Sequence, residues 1–76
     1  MERTVSINID EDLIKDVPLQ EVQKAVGRLS LWSSFPSVSI YNDGKNDLVA
    51  HYFREDGQHG YTIGAIWRGN EFTFHS

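Results

Sequence analysis

The sequence has no cysteine, only two prolines and no long apolar run, and each shortage removes a class of protein. Without cysteine there is neither a disulfide framework nor a thiolate metal centre. No apolar run exceeds four residues, far below the ~20 that a bilayer-spanning helix needs. The opening Met1-Glu2-Arg3-Thr4 carries no apolar stretch of the secretory kind, which predicts a cytoplasmic protein. Positive charge is scarce as well. Seven basic residues, Arg3, Lys15, Lys24, Arg28, Lys45, Arg54 and Arg68, stand singly against eleven acidic ones, a net charge of −4. Nucleic-acid binders draw much of their affinity from Lys and Arg on phosphates. Direct nucleic-acid binding is therefore not expected.

What is present suits one small folded domain over residues 1–76. Apolar residues make up 39% of the chain, and with six glycines they approach the usual globular share. A chain of 76 residues is too short for two cores.

Residues 3–9 alternate, with Val5, Ile7 and Ile9 on one face and Thr4, Ser6 and Asn8 on the other, predicting a half-buried strand. Pro18 suits a first helical turn. From there Val22, Ala25, Val26 and Leu29 recur at helical spacing, and Trp32 extends the stripe. Gly27 inside that pattern costs about 1 kcal/mol against Ala, so it is expected to mark a close approach to whatever packs beneath. Ser33, Ser34 and Pro36 end the helix. Strands follow over 37–41, 48–55, 58–68 and 71–75, separated by the turn chemistry of 42–46, Asp56-Gly57 and Gly69-Asn70.

Two-residue turns at Asp56-Gly57 and Gly69-Asn70 fix a register. They set Glu55 against Gln58, Arg54 against His59, Tyr52 against Tyr61 and Ala50 against Ile63. They also set Trp67 against Phe72 and Ala65 against Phe74. Both hairpins then place Leu48, Ala50, Tyr52, Tyr61, Ile63, Ala65, Trp67, Phe72 and Phe74 on one side. With Val5, Ile7, Ile9, Val38 and Ile40, that side is expected to cover the helix. The fold class is α+β, a single helix packed on a mainly antiparallel sheet in the order β-α-β-β-β-β. This arrangement resembles the cystatin–monellin architecture. The likeness lies in topology, since nothing matches the Gln-x-Val-x-Gly loop of inhibitory cystatins; Gln23-Lys24-Ala25-Val26-Gly27 lies in the helix and is spaced differently.

One sheet over one helix leaves the second face uncovered. There Tyr41, Val49, His51, Phe53, Ile66 and Arg68 form a more apolar patch than a solvated face requires, a candidate partner-binding surface. A second candidate is the acidic end formed by Asp10, Glu11, Asp12 and Asp16, which could steer a basic protein surface.

Chemistry-bearing patterns are few. In this register His51 and His75 share the outer face and His59 lies on the other, so three ligands do not converge and no metal is expected. Asn8-x-Asp10-x-Asp12 opens like a calcium loop but has Leu13 where Gly is needed and Leu19 where the bidentate Glu belongs. No serine occupies a nucleophile elbow, and no glycine-rich phosphate loop is present. The expectation is a non-catalytic protein-binding module without cofactor, an inhibitor or adaptor that blocks a larger protein, with a homodimer as a further possibility. In size, charge and architecture it is similar to immunity proteins and to phage-encoded antagonists of host defence such as anti-CRISPR proteins. The alternative is a nucleic-acid-binding or regulatory protein that stacks bases on Tyr41 and Phe53.

Overall fold

The computed structural model describes residues 3–10, 12, 14–42, 44 and 46–76. Its elements run β1 (Thr4–Asn8), α1 (Leu19–Leu31), β2 (Ser37–Asn42), β3 (Asp47–Phe53), β4 (His59–Trp67) and β5 (Phe72–His75). The five strands lie in sequence order in one sheet. β1 and β2 are parallel, as a crossover through α1 requires, and β2 to β5 form an antiparallel meander. The fold is therefore α+β with the element order read from the sequence. The arrangement is compatible with a cystatin-like one.

Helix α1 begins one residue after Pro18, whose carbonyl accepts from the amides of Glu21 (2.9 Å) and Val22 (3.2 Å). Its buried stripe is Val22, Ala25 and Leu29, packed on Val38, Ile40, Leu48, Ala50, Tyr52, Ile63 and Ala65 of β2, β3 and β4. The Tyr52 hydroxyl donates to the Leu29 carbonyl at 2.6 Å. That carbonyl lies in the last helical turn, where backbone acceptors run out of intrahelical donors. One phenol thus ties the middle of the sheet to the end of the helix. Burial pushes the Tyr52 phenol above its ordinary pKa, and the charge of Arg3 works in the opposite direction.

Several expectations need correction. Val5 and Ile7 do not cover the helix; they are 40% and 53% exposed, whereas Ile9, one residue past the end of β1, packs against the core. The cause is position, since β1 is an edge strand and the helix stripe is taken up by β2 to β4. Two core residues come instead from the segment between β1 and α1, where Ile14 and Val17 are buried without belonging to any helix or strand. Trp32 continues the stripe only in part. It is about half exposed, its ring stacked on Tyr61 (centroids 5.0 Å) and tilted against Tyr52 (5.1 Å). Gly27 marks no close approach, because a Cβ there would meet nothing within 4 Å.

The two hairpins differ. Gly69-Asn70 is a two-residue turn, with the Arg68 amide donating to the Glu71 carbonyl and Gly69 at φ +100°. Its pairs Trp67–Phe72 and Ala65–Phe74 are those the sequence predicts. Asp56-Gly57 is not such a turn. The Gly57 amide bonds the Arg54 carbonyl, and the Arg54 amide bonds the Gln58 carbonyl, which makes a three-residue loop with Gly57 at φ +85°. That shifts the pairing by one residue. A bulge then shifts it back, because Tyr52 faces Tyr61 while Phe53 faces His59, leaving Gly60 as the extra residue. Arg54 accordingly faces Gln58, and His59 moves to the side of Phe53.

Candidate functional site

The uncovered sheet face is built by the residues that alternate with the core. β3 reads buried at Leu48, Ala50 and Tyr52 and half-buried at Val49, His51 and Phe53. Cross-strand pairing brings Ser39 beside His51 and Tyr41 beside Val49 on β2, and Thr62 beside His51 and Gly64 beside Val49 on β4. Pleating therefore gathers side chains from three strands into one row.

That row is hydrogen-bonded from end to end. The Tyr41 hydroxyl lies 2.8 Å from His51 Nε2, and His51 Nδ1 lies 3.0 Å from Thr62 Oγ1. Thr62 Oγ1 is also bonded to His59 Nε2. A threonine hydroxyl has one proton, so it donates to only one of the two imidazoles and accepts N–H from the other if both rings are neutral. If it donates to His59, His51 carries its proton on Nδ1 and accepts from Tyr41 through Nε2. If it donates to His51, the sequence of donors reverses. The tautomers of the two histidines are coupled through a single side chain.

The rings also touch. Tyr41 stacks on His51 with centroids 5.5 Å apart and planes 20° apart. Phe53 lies 6.5 Å from His51 and edge-on to His59 at 6.1 Å, while the two histidine rings meet edge to face at 5.4 Å. Phe53 thus stays on the outer face, and the bulge at Gly60 turns His59 outward to join it. The reading that separated His59 from His51 is overturned. Thr62 and His59 belong to the patch; the predicted register already turns Thr62 outward, and the signal for His59 was Gly60, since an isolated glycine within a strand pattern marks a bulge.

The other proposed patch residues are less tightly gathered. Val49 neighbours Tyr41, and Ile66 continues the same face opposite Asp47 and Thr73. Arg68 is exposed beyond the end of β4, six residues past Thr62, hence roughly 20 Å away at about 3.3 Å per residue. It is not part of the aromatic row. His75 covers Gly64, where an added Cβ would lie 2.8 Å from His75 Nε2.

At the acidic end Asp10, Asp12 and Asp16 are exposed, and Glu11 lies outside the described residues. Asp10 is engaged locally. Its Oδ1 accepts from the Asp12 amide at 3.0 Å, its amide donates to Asn42 Oδ1 at 2.9 Å, and its carbonyl accepts from Asn42 Nδ2 at 3.1 Å. Asn42 therefore pins the turn after β1 to the end of β2. Among the described residues, no group of three histidine or acidic side chains is placed to hold a metal ion. Nor is any helix among them long and apolar enough to cross a membrane.

Two shallow hollows open on the side of the sheet that carries the helix. One lies between α1 and β5, lined by Glu21, Lys24, Arg28, Glu71, Phe72 and Phe74, with the Arg28 guanidinium 4.5 Å above the Phe74 ring. The other is bounded by Trp32, Tyr61, Ile63 and Phe74. No family model, curated protein or solved structure matches the chain.

Proposed function

We propose that this chain is a non-catalytic protein-binding module, an inhibitor or adaptor that blocks a larger protein through the uncovered face of its sheet. The observation that carries this reading is the contiguous row Tyr41–His51–Thr62–His59 with Phe53 beside it, held on three paired strands, with no helix or strand of the described residues layered over it. Aromatic and polar groups on rigid strands suit a protein interface, because little side-chain freedom remains to be lost on docking. The exposed Asp10, Asp12 and Asp16 supply an electronegative end that would steer the module toward a basic surface, and a cytoplasmic site of action goes with this reading.

Affinity purification with the tagged chain tests it. The expected result is a stoichiometric partner that Phe53→Asp releases while the circular dichroism spectrum stays that of the parent. Recovery of no such partner, or a partner indifferent to Phe53→Asp, rejects the sheet face as the docking surface.

A second reading rests on the same rings, since aromatic side chains on an open sheet can stack unpaired bases. The net charge of −4 opposes it. A gel shift with mixed single-stranded RNA and DNA at low salt separates the two, and no retardation at high micromolar protein is the expected outcome.

A further inference from the structure

We infer that β1 is the interface of a homodimer, in which two copies pair antiparallel edge to edge across a two-fold axis at Ser6 and merge their sheets into one. β1 ends the sheet, so one side of its backbone has no partner strand. The Thr4 amide donates to the Pro36 carbonyl and the Asp10 amide to Asn42 Oδ1, so the even-numbered residues direct their backbone groups inward to β2. By alternation, Val5 and Ile7 present N–H and C=O to the open side.

Natural edge strands are commonly guarded by lysine, proline, bulges or inward-pointing charges. Thr4–Asn8 has none of these, and its pairing with β2 runs through five residues without a shift. β5, the opposite edge, is only four residues long and begins beside Glu71.

The alternation also selects the register. An antiparallel ladder needs outward-directed residues opposite one another, which sets Val5 against Ile7 of the second copy and Ser6 against Ser6. This register overlaps the whole strand, and its central pair, the non-hydrogen-bonded kind with Cα atoms about 4.5 Å apart, is occupied by a small residue. Val5 and Ile7, 40% and 53% exposed, would each be covered by the other's counterpart on the helix side of the sheet. The strand itself is uncharged, so no like charges oppose one another across the axis. Because the axis is perpendicular to the sheet, both aromatic rows face the same way, and the dimer offers two docking surfaces side by side.

Sedimentation and site-directed crosslinking test the interface independently of any larger partner. The parent chain is expected to pass from monomer to dimer between low and high micromolar concentration. Ile7→Lys should keep it monomeric with an unchanged circular dichroism spectrum. The native chain has no thiol, so Ser6→Cys should give a disulfide-linked dimer under mild oxidation. Thr4→Cys should not, because its counterpart across the axis stands about 14 Å away, four residues at about 3.4 Å each. A parent that stays monomeric throughout, a dimer that survives Ile7→Lys, or equal crosslinking of Ser6→Cys and Thr4→Cys overturns the proposal. Failure there leaves the Phe53→Asp capture result untouched.

Discussion

His51 and Tyr52 are adjacent on β3 and lead opposite lives. Tyr52 is fully buried and directs its hydroxyl across the layer to the Leu29 carbonyl of α1. His51 is half-buried and bonds sideways, to Tyr41 on β2 and Thr62 on β4. The inner polar group joins two layers, whereas the outer ones join neighbours within a layer and leave their upper edges open. The strand's alternation thus separates two tasks at single-residue resolution, stability beneath and an available surface above.

The largest test of that separation compares aliphatic residues on the two faces. Ile40 is fully buried beneath the helix, and Ile40→Ala should cost about 2–5 kcal/mol through lost burial and a residual cavity. Val49 is half-buried on the outer face, and Val49→Ala should cost roughly 1 kcal/mol or less, in proportion to the smaller apolar area it covers. Urea denaturation of both variants measures the difference. Equal losses would mean that the outer face is covered in solution.

Tyr52→Phe comes next. It leaves the Leu29 carbonyl without its buried donor, for an expected cost of about 1–3 kcal/mol. Burial raises the Tyr52 phenol in the folded state, so above the ordinary tyrosine pKa of about 10 the unfolded chain releases this proton while the folded chain retains it. The contribution is whole below that pH and is lost as pH rises toward the folded value. Tyr52→Phe should therefore flatten the alkaline fall in stability. Identical alkaline limbs in parent and Tyr52→Phe would remove Tyr52 as the cause.

Much of this division was legible in the sequence, and the gaps have physical causes. Periodicity placed Leu48, Ala50, Tyr52, Ile63 and Ala65 on one face, because a pleated strand has only two sides to offer. It could not say that β1 would escape the helix, since alternation defines a face but not what covers it; hence Val5 and Ile7 remain exposed. Ile14 and Val17 were missed because an irregular segment has no period to detect. The Tyr52–Tyr61 pairing is correct despite the wrong turn, for the one-residue shift of the Glu55-Asp56-Gly57 loop is cancelled by the bulge at Gly60. The local error still mattered. It hid His59, the last member of the hydrogen-bonded row.

Glycines provide the finest comparison of the two faces, because the same added methyl group meets a different neighbour on each. A Cβ at Gly60 would collide with Phe35 Cε1, on a ring packed against the core and 5.9 Å from Tyr52. A ring so enclosed cannot swing away freely, and Gly60→Ala should cost about 1–3 kcal/mol, as crowding a packed interior does. A Cβ at Gly64 would meet His75 at 2.8 Å, but His75 is exposed near the end of the chain and can rotate toward solvent. Gly64→Ala should therefore change stability by no more than about 0.5 kcal/mol, with the lost flexibility of glycine offsetting the displaced ring. Thermal denaturation of the two variants, with the His75 ring followed by NMR, checks both halves of the comparison. A costly Gly64→Ala would show His75 to be a fixed part of the outer face, and the docking surface would then have to be redrawn around it.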